Sequence, residues 1–385
     1  MAASWRQMLS SGLLLVLALL WIGATTFSVE YGTRHSWLFW VEHWTGDWRT
    51  MFLSDRPRGQ HRKIAIVSVN EDTVAQYPYR TPIDRGLVAR LVTALDNAGV
   101  EAIGIDFLFL KATEPRKEQE LVSAIKAAKA RVVIAVGDNR VELTDQQKAY
   151  QAEFLKASGA KAGYANLLTG SDRIVRFIAP PEDPAFPRSL AVATAKPSAA
   201  PADGPRRISW LLRPKNGNER FTILPAHLMA APDGLPAPPT AAALSALLKG
   251  KIVFIGADLI GLDRHETPLA SWENDDEMPG VLIHAQVAAQ LIDNRKIKRV
   301  NSDVLVAIYA FLAMVGMWIG LRFGSAGYGL YFTTTTLIIA VIDIGLFVSL
   351  RQFLPFSACL AALAIGLAGG ILLRRLLPWA STISR

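Results

Sequence analysis

The sequence predicts an α/β domain with a mixed, largely parallel sheet and flanking helices, carried on four transmembrane α-helices. Three observations point there. Of the 385 residues 51% are hydrophobic and the mean hydropathy is +0.25, too apolar for an ordinary soluble chain. Four long apolar runs stand at residues 8–29, 302–321, 327–350 and 353–373. Between the first and second lies a long segment in which short β-branched runs alternate with amphipathic ones, the pattern of parallel α/β packing.

The stretch KIVFIGA, from Lys251 to Ala257, is a continuous apolar run closed by a turn residue and predicts a fully buried strand. The loop after it gathers Asp258, Asp263, Arg264, His265, Glu266 and Thr267, where open α/β sheets place their ligand clefts. A helix follows, with Pro279 in its first turn and Val281, His284, Ala285, Ala288, Ala289 and Ile292 on one face. Upstream, KIAIVSVN predicts the first strand of the domain. Asp84 is placed to N-cap a helix that stops at Gly99, and VEAIGIDFLF predicts a second strand ending near Asp106. A helix over 118–129 and the strand RVVIAV extend the alternation. The middle is less regular: GYANLLTGSDRIVRFIAP and RRISWLLRP read as β segments, FPRSLAVATA and PAHLMAA as short helices, and AKPSAAPADGP as a surface loop.

The first apolar run is long enough to cross about 30 Å of hydrocarbon and too long for a typical cleaved leader. Arg6, Arg322, Arg374, Arg375 and Arg385 would share one side if all four runs cross, against Arg351 in the opposite short loop. This predicts two cytoplasmic termini and an extracytoplasmic segment 30–301, in a bacterial-type inner membrane. Lys296, Lys298 and Arg299 oppose the assignment, but they end a long domain. Trp37, Trp40, Trp44 and Trp48 recur at three- and four-residue steps, so a helix would stack them on one face. Three readings stay open for that face: an interfacial belt, packing against the folded domain, or an aromatic ligand box. The same helix could couple the first span rigidly to the domain.

The net charge of +8 comes without a basic run interleaved with aromatics, so nucleic acid is not expected as a partner. The single cysteine, Cys359, excludes an intrachain disulfide and a zinc site built on several cysteines. No Gly-rich phosphate cradle, nucleophile elbow or HExxH helix is present, so neither a cofactor nor catalysis is expected. Asn70, Glu71, Asp72, Asp106, Asp258 and Asp263 would converge at one crevice if the three strands are parallel neighbours. They could then hold a cation or a cationic or hydroxylated ligand, or simply cap helices and brace loops. Arg80, His265 and Thr267 complete the ligand-binding candidates. Asp343 interrupts an apolar run near its middle, where an ionisable group is costly; it either glues helices, paired with Thr333 to Thr336 or Ser349, or carries ions or protons.

The segments VSVNEDTVAQYPYRTPIDRGLVARLVTALDNAGVEAIGIDFLF, GKIVFIGADLIGLDRHETPL and MPGVLIHAQVAAQLIDN resemble, in their order, the CHASE2 family of extracytoplasmic sensory domains. The resemblance covers about residues 30–300, and the three following spans fit the family's usual arrangement. It implies a signal-input function, in a family whose domains are typically joined through those spans to a cyclase or kinase. Two departures stand out. The first strand ends on Asn70 and Glu71, where the family's acidic residue is expected one position earlier, and only LLPWASTISR follows Arg375. The expectation is therefore a sensor without its own output domain, acting through an unidentified partner. The alternative is a structural or regulatory subunit of an envelope complex whose large domain binds another protein. The number of copies that associate is left open.

Overall fold

The computed structural model describes residues 2–35, 37–196, 198, 204–230, 241–270 and 277–376. The anticipated surface loop at AKPSAAPADGP lies partly, and the tail after Leu376 wholly, outside the described residues. The chain divides into two compact units: residues 1–53 with 297–385, and residues 54–296. It begins with α1 (Ala2–His35) and α2 (Trp37–Leu53), which belong to the first unit.

In the second unit the strands β1 (Ile64–Asn70), β2 (Ala102–Asp106), β3 (Arg131–Val136) and β4 (Lys161–Tyr164) alternate with helices α3 (Glu71–Val74), α4 (Arg85–Asn97), α5 (Pro115–Ala127) and α6 (Asp145–Ser158). Asp84 caps α4 by accepting from the Leu87 N–H at 2.9 Å, and Gly99 turns the chain out at φ 77°. The anticipated helix over 118–129 begins earlier, at Pro115, because proline is at home in a first helical turn. The helix α6 carries its own start signal, a capping box between Thr144 and Gln147, and it stops at Gly159 with φ 69°.

The irregular middle holds β5 (Leu168–Thr169), β6 (Val175–Ile178), α7 (Leu190–Ala195), β7 (Arg206–Arg207), β8 (Thr222–Pro225), α8 (Ala226–Met229) and α9 (Ala241–Leu248). The strands β5, β6 and β7 form a separate small antiparallel sheet, and RRISWLLRP contributes only Arg206 and Arg207 to it. Then come β9 (Ile252–Asp258), the short pair β10 (Arg264–His265) and β11 (Met278–Pro279), and α10 (Gly280–Ile292). Pro279 stands immediately before α10 rather than in its first turn, and pairs with Arg264.

The main sheet has six parallel strands in the order β4-β3-β2-β9-β1-β8. The side chains of its central strands point alternately to two cores. Val67, Val69, Ile103, Ile105, Val253 and Ile255 meet Leu87, Leu91, Leu95 and Leu121 of α4 and α5. Ile64, Ile66, Ala102, Ile252 and Phe254 meet α7 and α10. Burial on both faces explains why β1 and β9 read as unbroken apolar runs instead of alternating ones. The helix α10 packs so closely on β9 that a Cβ on Gly256 would stand 2.5 Å from Cβ of Val281.

In the first unit, β12 (Lys298–Arg299) leads into α11 (Ser302–Arg322), α12 (Ser325–Gly345, continued by a π-helical turn to Leu350), β13 (Gln352–Phe353) and α13 (Phe356–Leu376). Four helical stretches are long and apolar enough to cross a membrane: Gly12–Thr33, Ser302–Arg322, Ser325–Leu350 and Phe356–Arg375. The last span starts at Phe356, later than the anticipated residue 353, because Gln352 and Phe353 pair with Lys298 and Arg299 as a short parallel bridge and Pro355 follows. The helices α11 and α13 meet through glycines. A Cβ on Gly316 would lie 2.1 Å from the Leu363 carbonyl, and one on Gly366 2.1 Å from that of Ala313. Gly320 and Gly370 repeat the contact one turn on, the small-residue spacing that lets membrane helices approach backbone to backbone. The Trp21 indole of α1 lies over Gly369 and donates to the Ile365 carbonyl at 3.0 Å.

Candidate functional site

Register brings the anticipated strand ends together. Asn70 lies beside Asp258, and Asp106 beside Gly256, at the C-terminal edge of β1, β9 and β2. What the side chains do there divides them into three groups. Asn70 is a helix cap: its Oδ1 accepts from the Thr73 N–H at 3.0 Å and the Thr73 hydroxyl at 2.7 Å. Glu71 accepts from the Ile260 N–H at 2.9 Å and from Arg80 at 2.6 Å, while Arg80 donates to the Ile260 carbonyl at 2.8 Å. This pair staples the loop after β9 to the start of α3. Asp72 is exposed in the first turn of α3.

The second group is one ion pair. Asp258 accepts from Arg264 Nη2 at 2.5 Å, and the same guanidinium reaches the carbonyls of Leu259 and Glu277 at 3.1 Å each. Thr267 is buried, and its hydroxyl accepts from the Leu269 N–H at 3.3 Å, shaping the turn beyond β10. These residues hold the loop in place and leave little of themselves for a ligand.

The third group is different. Asp263 adopts a left-handed backbone with φ 51°, accepts from the Gly280 N–H through its carbonyl at 2.9 Å and lies 3.0 Å from Nε2 of His265. Its carboxylate sits over the first residue of α10, where Gly280 leaves room: a Cβ there would be 2.4 Å from Oδ2 of Asp263. The positive end of the helix dipole favours a negative charge at that spot. Below it, at the end of β2, Asp106 is 9% exposed and its Oδ2 makes no hydrogen bond. The nearest basic group is His284 of α10, whose Nε2 is 3.7 Å from Oδ1 of Asp106, beyond hydrogen-bond reach.

Burial, and then the charge of Asp263, push the Asp106 carboxyl well above the ordinary carboxylate range. Burial likewise pushes His284 down to about 4, although the carboxylate of Asp263 and the Ala165 carbonyl pull the other way. Both residues are therefore driven toward their neutral forms, a carboxylic acid facing a neutral imidazole. The predicted crevice thus reduces to Asp106, Asp263 and His265, joined by His284. The sequence links positions 106 and 284 by no signal, because only the packing of α10 on β9 and β1, beside the end of β2, brings them together. Among the described residues no three His, Cys, Asp or Glu side chains converge to hold a metal ion. A cavity of about 530 Å³ bounded by Pro57 to Lys63, Leu211 and Asp293 opens at the other end of β1, away from these carboxyls.

In the membrane unit, Asp343 finds a partner the sequence does not suggest. It accepts from Nη1 of Arg49 on α2, which also donates to the Leu354 carbonyl at 2.6 Å and, through Nη2, to Glu42 at 2.9 Å. Glu42 in turn accepts from the Ser357 N–H at 3.0 Å at the start of α13. The Arg49 guanidinium lies 3.9 Å from the Phe353 ring centre. Of the anticipated threonine partners, the Thr334 and Thr335 hydroxyls donate to the carbonyls of Leu330 and Tyr331 in their own helix, while the buried Thr336 hydroxyl makes no hydrogen bond. A full charge in an apolar bundle calls for a full counter-charge, which Arg49 supplies and a hydroxyl could not.

The CHASE2 domain model matches residues 13–321, most of the chain. No curated protein and no solved structure matches it. The chain belongs to the CHASE2 family, and the α/β unit described above is an extracytoplasmic sensory domain of that family.

Proposed function

We propose that this chain is a membrane-anchored signal-input protein that receives a small cationic or hydroxylated ligand at the strand-end crevice and passes the change to a partner protein. Membership of a sensory family supports the input side of this reading. The observation that carries the ligand class is Oδ2 of the buried Asp106 carboxyl, without a hydrogen bond at the edge where parallel sheets take their ligands. A buried polar atom left unsatisfied costs about 1–3 kcal/mol, which a donor supplied by a ligand would recover. Asp263 and His265 frame the mouth. The Arg80–Glu71 staple fixes the loop after β9.

The reading assigns the crevice no catalytic step. The crevice offers two carboxyls and two imidazoles, and the paired Arg49 and Asp343 tie α2 to the bundle so that movement at one is felt at the other. It places both termini in the cytoplasm and the domain on the outer side of a bacterial inner membrane. Thermal shift of the full chain in detergent against a panel of amines and polyols tests the ligand class. A stabilising compound whose effect disappears in Asp106→Asn, with the fold retained, is the expected result, and stabilisation unchanged by that substitution would remove the crevice from the account.

A second reading, an envelope-complex subunit, draws on a different feature. A groove of about 700 Å³ along α4, α5 and α8, lined by Ala89, Thr93, Ala124, Ala127 and Met229 with Arg90 and Glu120 at its rim, has the mixed character of a protein-docking surface. A stoichiometric protein copurifying from membranes, lost on Thr93→Trp, would favour it.

A further inference from the structure

We propose that α2 is an interfacial helix whose aromatic stripe docks into the boundary between lipid headgroups and acyl chains. Trp40, Trp44, Trp48 and Phe52 recur at four-residue steps and are 47%, 61%, 43% and 50% exposed. They stack along the helix, with ring centres 5.8 Å apart for Trp44 and Trp48 and 5.4 Å for Trp48 and Phe52. So much exposed tryptophan on one stripe is not what water tolerates.

The opposite flank says what the stripe faces. Leu38, Gly46, Arg49 and Thr50 are buried, and Arg49 and Glu42 fasten that flank to Asp343, Leu354 and Ser357 of the bundle. These anchors fix the depth. Asp343 stands seven residues, about 10 Å of helix, before the end of its helical stretch at Leu350, and Ser357 stands in the first turn of α13. The helix α2 therefore lies at one end of the bundle and not along its middle. The residues flanking Asp343 continue the apolar surface: Ile342 is 51% and Ile344 47% exposed on a helix with the composition of a span. A stripe continuous with that surface, at its rim and built of indoles with a polar N–H, matches lipid at the headgroup level. A second protein copy is the competing occupant, and the test separates the two.

The full chain with Cys359→Ala receives a nitroxide at Trp44→Cys or, independently, at Trp48→Cys, in vesicles of phosphatidylethanolamine and phosphatidylglycerol. Collision rates with oxygen and with a water-soluble nickel chelate are compared with labels at Val341→Cys, 70% exposed on α12, and Gln146→Cys, exposed on the sensory domain. The expected oxygen-to-nickel ratio lies between the two references and several-fold above that at Gln146. A ratio equal to the Gln146 reference at both stripe positions overturns the proposal, as does protection from both agents with dipolar broadening, the sign of a second copy.

Discussion

Asp106 is the residue on which the input reading turns, and its chemistry gives a stability signature. A carboxyl held above its ordinary value by burial contributes its stability at acid pH, where it is protonated in the folded and unfolded chain alike. That contribution is lost as pH rises from the ordinary carboxylate range through the raised folded value. Asp106→Asn should abolish this loss, raising stability at pH 8 by on the order of 1 kcal/mol over the parent while leaving pH 4 little changed. Melting temperatures of the full chain across that range measure it. His284 titrates in the opposite sense: its folded value is depressed from 6.5 to about 4, so stability falls as pH drops through that window, and His284→Gln should flatten the acid limb. At the other site, Arg49→Met should destabilise the chain by about 3–5 kcal/mol because it strands Asp343, and the double substitution Arg49→Met with Asp343→Leu should recover most of the loss. A thermal double-mutant cycle in detergent gives the coupling; additive losses would mean that the pair contributes nothing together.

At the scale of elements, the glycines of α11 and α13 set how tightly the bundle closes. Gly316→Val or Gly366→Val would drive a side chain into a facing carbonyl, and each should cost at least about 1–3 kcal/mol, read as a lowered melting temperature of the solubilised chain. In the proposed reading α2 is the mechanical element. Two glycines inserted after Gly46 would rotate Arg49 away from Asp343 while sparing Glu42, so partner response to a crevice ligand should disappear while ligand-induced stabilisation of the domain persists. An unchanged partner response would show that α2 does not transmit. Element types were legible wherever one periodicity dominated. The strands β1, β2, β3 and β9 were announced by apolar runs, and α4 by Asp84 and Gly99. The helix α6 was less visible because its buried residues are few and two of them, Gln151 and Ser158, are polar; its clearest signal was the capping box at Thr144. The strand β8 is an edge strand that ends in Pro225, with only Thr222 fully buried, and it carries a weak apolar signature.

For the whole molecule, sequence order alone carried the architecture: four apolar stretches, a parallel α/β excursion between the first two, and the CHASE2 resemblance that the family model bears out over residues 13–321. The site was legible only to the level of strand ends. Register placed Asn70, Asp106 and Asp258 at one edge, as parallel neighbours must be. Which of them braces a loop and which is left buried and unsatisfied depends on partners far away in the chain, Ile260 for Glu71, Arg264 for Asp258 and His284 for Asp106, and no local pattern encodes those. The same holds for Arg49 and Asp343, 294 residues apart. The account rests throughout on a sensory unit outside the cytoplasm whose helices reach back across the membrane. Labelling of Gln146→Cys, in a Cys359→Ala chain expressed in bacterial cells, with a membrane-impermeant maleimide tests this most directly. Full modification in intact spheroplasts is predicted; modification only after the membrane is broken would contradict it.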